Sequence, residues 1–134
     1  MTNTINVGIG GLGAIGMPVA RWLDAGITGL RLAGVSAGNK ERAAQRVSDF
    51  ASPPPVLDLA ELVAVSDVLV EALPPQHFGE LADLTMAAGK KLIVLTLTSL
   101  LPRLDLVDKA TETGGQIIAA TGALVGFDAV RAAA

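Results

Sequence analysis

Gly11, Gly13 and Gly16 stand in the run Gly11-Leu12-Gly13-Ala14-Ile15-Gly16, directly behind a short apolar segment, Ile5-Asn6-Val7-Gly8-Ile9. Glycine at these three positions permits what a side chain would prevent: a tight turn, close approach of backbone to a pyrophosphate, and packing of a helix on a strand. The free N–H groups of the following helix, and the positive end of its dipole, then face the phosphates. The chemistry is that of holding a dinucleotide. Gly8, Gly10 and Gly13 fit the same pattern. The register Gly11, Gly13, Gly16 is preferred, because Val7 and Ile9 alternate into Gly11 as the strand ends. Leu12, Ala14 and Ile15 belong to the same cofactor-binding loop.

A second group, Ser36-Ala37-Gly38-Asn39-Lys40 with Arg42 close behind, follows a second apolar segment. An acid here, about 20 residues past the glycines, would bond the ribose 2′-hydroxyl of NAD. None is present. Ser36 and Asn39 can donate hydrogen bonds, and Lys40 or Arg42 can supply charge. That chemistry suits NADP, alone or alongside NAD. Leu73 and Pro74 close a later strand at the same rim, and Thr96, Thr98 and Ser99 stand where the nicotinamide half of a cofactor would pass. His77 is the only histidine. No second titratable group is obviously beside it, so a structural or cofactor-contacting role fits it better than acid–base catalysis. Glu71 falls within a strand and is expected to turn inward and bond neighbouring backbone. No residue here is assigned a catalytic role. One histidine, no cysteine and no clustered carboxylates make no metal site.

These residues need a scaffold that brings their loops to one edge. The chain alternates strand and helix patterns. Strands are expected at Ile5 to Ile9, Leu30 to Ser36, near Val56 and Leu57, at Asp67 to Leu73, Lys91 to Leu97 and Gln116 to Ala120. Ala14 to Leu23 reads as a helix with Ile15, Val19, Trp22 and Leu23 on its apolar side. Lys40 to Asp49 reads as a polar helix, and Asp58 with Glu61 has the form of a capping box. Pro53, Pro54 and Pro55 make a rigid loop. A helix from Gln76 to Ala88 ends at Gly89, and another starts near Pro102 and ends at Gly114. Six strands with helical crossovers predict an α/β fold: a doubly wound parallel six-stranded sheet, the Rossmann fold, in the order 3-2-1-4-5-6. Ligand should lie across the carboxyl ends of the strands. That rim gathers Gly11 to Gly16, Ser36 to Lys40, Leu73 to His77, Thr96 to Ser99 and Thr121 to Ala123.

Composition narrows the setting. The chain has 134 residues, enough for one domain with its own core. Hydrophobic residues are 51% but aromatics only 3%, so the apolar content is Ala, Val, Leu and Ile, as in buried parallel strands. No apolar run approaches the ~18 residues that span a bilayer, and Met1-Thr2-Asn3-Thr4 lacks a signal core. A soluble cytoplasmic protein, with no membrane partner, is the default expectation. A net charge of −3 with few stacking aromatics argues against a nucleic-acid partner.

The chain resembles the N-terminal half of L-aspartate dehydrogenases. Gly11-Leu12-Gly13-Ala14-Ile15-Gly16 is similar to their Gly-x-Gly-Ala-Ile-Gly loop, and Asp67-Val68-Leu69-Val70-Glu71-Ala72 to their fourth strand. Thr121-Gly122-Ala123-Leu124-Val125-Gly126-Phe127-Asp128-Ala129 is similar to their more specific Ser-Gly-Ala-x-x-Gly-Leu-Asp-Ala. The resemblance implies an oxidoreductase of NAD biosynthesis, homo-oligomeric when intact, that moves hydride between aspartate and NAD(P). It also implies that Gly122 and Ala123 lie at the nicotinamide, and that the catalytic histidine belongs to a second domain. On this reading residues 1–121 are the NAD(P)-binding domain, and 122–134 begin the helix leading to the missing catalytic domain. Thr121 stands where the family has Ser. Thr96-Leu97-Thr98-Ser99-Leu100 replaces a typical Ser-Val-Gly-Ala-Leu and adds bulk beside the nicotinamide. The alternatives are a stand-alone NAD(P)(H)-sensing regulatory module, or the cofactor domain of a homoserine dehydrogenase or dihydrodipicolinate reductase-like enzyme.

Overall fold

Val7 and Ile9 point to one side of the first strand and are buried there, while Gly8 and Gly10 lie flush against Leu62 and Leu81 on the other. Burial on both sides marks a central parallel strand. In a computed structural model, which describes residues 3–120, this strand, β1 (Ile5–Gly10), is flanked by β2 (Leu30–Ser36) and β3 (Val68–Glu71). β4 (Lys91–Val94) and β5 (Gln116–Ala119) extend the sheet in the order β2-β1-β3-β4-β5, and every pairing is parallel.

The helices divide between the two faces. α1 (Gly16–Ala25) and α2 (Lys40–Arg46) cover β1 and β2, burying Met17, Ala20, Leu23, Ala43 and Val47 beside Ile9 and Val35. α3 (Leu59–Val65), α4 (Pro75–Ala87) and α6 (Asp105–Thr113) cover the opposite face around Leu62, Leu69, Phe78, Leu81, Met86, Leu92 and Leu106. α5 (Leu97–Leu100) is a single turn that leads into a 3-10 turn at Leu101–Arg103. The Asp58–Glu61 capping box is present at the start of α3.

The sheet is the doubly wound Rossmann type, with one contraction. The third of the six expected strands is a single parallel bridge, Val56 to Val35, held by Val35 N–H to the Pro55 carbonyl at 3.0 Å and Leu57 N–H to the Val35 carbonyl at 2.8 Å. Prolines 53 to 55 have no N–H with which to lengthen it. The bridge sits outside β2, where the order 3-2-1-4-5-6 puts it. α1 also differs from expectation. It starts at Gly16, and Ile15 and Trp22 are 53% and 68% exposed. Trp22 borders an apolar hollow with Val68, Val70, Ile93 and Ile118, at the edge of α1, over the β3 to β5 part of this face, which no helix covers among the described residues. No described helix is long and apolar enough to cross a membrane.

Candidate functional site

The chain order reverses between β1 and β3, since β1 connects outward to β2 while the later strands stack on the other side. Crevices in such sheets open at the carboxyl ends of the strands at this switch point. Gly11 turns the chain out of β1 with φ +102°, a conformation that favours glycine, and a Cβ there would collide with the Ala72 carbonyl. Its N–H donates to the Ser36 carbonyl at 2.8 Å, which ties the loop to the end of β2. A Cβ at Gly16 would collide with the Gly11 carbonyl, so the start of α1 is packed directly on the turn. At Gly13 the backbone is exposed and a Cβ would meet nothing within 4 Å. Two glycines therefore close the loop, and the middle one presents open backbone beside the unpaired N–H groups at the start of α1.

That open backbone faces a groove of about 520 Å³. One wall is Gly11, Leu12 and Gly13. A second runs from Ala37 to Asn39 and along α2 through Arg42 and Arg46. The third is Ala72, Leu73, Pro74 and His77. An adjoining hollow of about 450 Å³ shares Ala37, Gly38, Leu73 and His77 and adds Ser36, Asp58 and Glu80. The two cavities together are a cleft of the size and shape that a nucleotide needs.

Gly11, Leu12, Gly13, Asn39, Leu73 and Pro74 thus come together as the sequence suggests. Ala14 and Ile15 are exposed in the turn before α1, Gly16 is buried beneath Gly11, and Ser36 is buried at the strand end. Asn39 caps α2, its Oδ1 accepting from Arg42 N–H at 2.9 Å, which leaves its NH2 end as the donor. Two expected contributors stand apart. Lys40 turns to the far side of α2, where its Nζ lies 2.7 Å from Asp58 Oδ1 and borders a separate hollow beside Pro53 to Pro55. The Asp58 hydrogen bond holds its ammonium above the usual lysine range. Thr98 is exposed on α5 and lines neither cavity. Gly122 and Ala123 lie outside the described residues.

Arg46 is the groove residue that the sequence reading passes over. Its Nη1 donates to the Leu12 carbonyl at 2.6 Å and bridges α2 to the glycine loop across 34 residues. Helical spacing could have found it, because it stands one turn beyond Arg42.

Glu71 is fully buried at the end of β3 and gathers the rim. Oε1 accepts from Leu73 N–H at 3.2 Å and from the Thr96 hydroxyl at 3.1 Å, while Oε2 accepts from Leu95 N–H at 3.2 Å and Thr96 N–H at 3.1 Å. Four donors converge on an acceptor-only group. The carboxylate replaces a neighbouring strand as the partner of these N–H groups. This is why the fifth expected strand, read as Lys91 to Leu97, leaves the sheet after Val94. His77 is exposed at the start of α4 and borders both cavities.

Comparison with known proteins fits this geometry. Residues 11–120 match the family described as homoserine dehydrogenase, NAD binding domain. The chain is 36% identical over 132 residues to an L-aspartate dehydrogenase of Bradyrhizobium diazoefficiens, covering 98% of this chain and 47% of that protein. It is 39% identical over 131 residues to L-aspartate dehydrogenase 3 of Bordetella bronchiseptica, covering 97% and 48%. The chain therefore spans about half the length of these relatives. A solved UDP-N-acetylglucosamine 3-dehydrogenase from Acidithiobacillus ferrooxidans shares the fold, with a TM-score of 0.72 at 21% identity over 97% of this chain and 43% of that one.

Proposed function

This chain belongs to the family of the homoserine dehydrogenase NAD-binding domain, and from that premise we propose that it is the dinucleotide-binding half of an L-aspartate dehydrogenase. The observation that carries the reading is the open backbone of Gly13, set between two glycines that tolerate no Cβ and facing a groove at the switch point of the sheet. The relatives from Bradyrhizobium and Bordetella support the choice of aspartate.

In this reading Gly11 to Gly16 hold the pyrophosphate through backbone N–H groups and the helix dipole. Ser36 to Asn39 take the adenosine ribose, and Leu73 and Pro74 form the wall opposite. The nicotinamide half runs toward Thr96 and on to Gly122 and Ala123. Glu71 acts on this path as a positioning residue, because it fixes the backbone at Leu73, Leu95 and Thr96 together. When bound, the nicotinamide supplies hydride acceptance at the α-carbon of aspartate, on the way to oxaloacetate through iminoaspartate. Residues 1–121 serve as the cofactor domain, and the groups that handle the amino acid come from elsewhere in the enzyme. A cytoplasmic, homo-oligomeric enzyme of NAD biosynthesis is the setting that fits.

The test is calorimetry with NADPH and NADH on the 134-residue chain and on Gly13→Val. The wild type should bind at one site. The variant should keep its melting temperature and lose most of that affinity, since its side chain has room in the fold but occupies the phosphate path. Unchanged affinity in a folded Gly13→Val protein refutes the site. For the substrate, the intact enzyme is assayed for nicotinamide reduction with L-aspartate and with L-homoserine. Turnover of homoserine alone would replace aspartate in this proposal.

A further inference from the structure

We propose that Arg42 and Arg46 form a two-arginine seat for the 2′-phosphate of NADP(H), and that Lys40 is not part of it. The inference rests on the dinucleotide reading above and deepens it by choosing between the two cofactors.

Arg42 and Arg46 are four residues apart on α2 and border the same groove as Gly13 and Asn39. Like charges at this spacing repel one another and weaken a helix. Arg21 pairs with Asp49, Arg103 pairs with Asp83 and Asp105, and Arg31 donates to the neutral Asn6 Oδ1 at 2.9 Å. Neither Arg42 nor Arg46 has a carboxylate partner among the described residues. No Asp or Glu lines the groove. A pair of guanidinium groups left facing an acid-free cleft is an arrangement that a bound dianion would stabilise, because each planar fork can donate more than one hydrogen bond to phosphate oxygens.

The neighbouring charges agree. The adjoining hollow holds two acids, Asp58 and Glu80, and Asp58 is held by Lys40 at 2.7 Å. Lys40 therefore screens a carboxylate that would oppose a 2′-phosphate, and it does so from the far side of α2. Arg46 already donates to the neutral Leu12 carbonyl, a bond that aims its guanidinium along the glycine loop and leaves further N–H donors. Beside the arginines, Gly38 carries no side chain to obstruct a phosphate, and a Cβ there would meet nothing within 4 Å.

The experiment measures dissociation constants of NADPH and NADH for the 134-residue chain, with 2′,5′-ADP and 5′-AMP as the matching half-ligands. The variants are Arg42→Ala, Arg46→Ala, the double variant and Lys40→Ala. The wild type should favour NADPH over NADH, and 2′,5′-ADP over 5′-AMP, by about tenfold or more, the size of one charge-assisted hydrogen bond. Each arginine variant should lower that ratio part of the way, by about threefold if the wild-type preference is about tenfold, Arg42→Ala with little change for NADH, and the double variant should abolish the preference. Lys40→Ala, which only unmasks the exposed Asp58, should lower the ratio by clearly less than either arginine variant. Equal wild-type affinities for NADPH and NADH overturn the proposal. So do arginine variants that weaken both ligands equally, which would mark the Arg46–Leu12 bond as purely structural, and so does a Lys40→Ala effect as large as theirs. Binding of neither dinucleotide would overturn the dinucleotide reading itself, and this inference with it.

Discussion

Removing the Glu71 carboxylate should be the most damaging single change at the rim, and the size of the effect can be worked from its four hydrogen bonds. In Glu71→Ala the N–H groups of Leu73, Leu95 and Thr96 lose their acceptor, and so does the Thr96 hydroxyl. Each buried donor left unpaired costs about 1–3 kcal/mol. These donors are only part-buried, so water can reach some of them, and a total of about 3–5 kcal/mol is expected. That is a large share of the ~5–15 kcal/mol that holds such a domain folded. Glu71→Gln sorts the terms further. Its NH2 end cannot sit at the Oε2 position, where two N–H groups already point. At the Oε1 position it faces Leu73 N–H, but the Thr96 hydroxyl can rotate and accept from it. One donor is then orphaned, at a cost of about 1–3 kcal/mol. Urea unfolding of the three proteins, with the slope held to the wild-type value, gives both differences. The order Ala worse than Gln worse than wild type is required. Equal losses for Gln and Ala, or a loss below about 0.5 kcal/mol for Ala, would show that the carboxylate does not hold the rim together.

Two further outcomes follow from charge placement. Gly38→Asp should fold normally, because the position is open, and should lower the NADPH-to-NADH affinity ratio by about tenfold through repulsion of the 2′-phosphate; an unchanged ratio in competitive titration would remove Ser36 to Asn39 from cofactor choice. In the network joining α4 to α6, the Arg103 hydrogen bond first, and its charge, hold Asp105 down to about 2 and Asp83 below the usual carboxylate range. A depressed carboxyl stabilises the fold above its unfolded value near pH 4 and loses that contribution as pH falls toward 2. The groups are solvent-exposed, so the effect is small and weakens in salt. Arg103→Ala should flatten the fall of melting temperature between pH 4 and pH 2, and an identical acid slope in variant and wild type counts against the network.

What the sequence determined by itself is the part governed by short-range geometry. The glycine loop, the Asp58 cap with Glu61 and the alternation of strand and helix all depend on residues within a few positions of one another. They could be read because φ limits and backbone hydrogen bonding act locally. The tertiary structure decided where long side chains go and where strands stop. Lys40 and Arg42 stand two residues apart, so the helical turn sends them to opposite sides of α2, and only the fold puts Asp58 on one side and the groove on the other. Arg46 reaches Leu12 because α2 lies across the end of β1. Glu71 ends β4 early because parallel pairing carries its carboxylate to Leu95 and Thr96. Trp22 remains exposed although it lies on the apolar side of α1, since burial requires a neighbour as well as a hydrophobic residue. A flexible charged side chain has several rotamers of similar energy. Which one is adopted depends on partners that the chain brings near only when it folds.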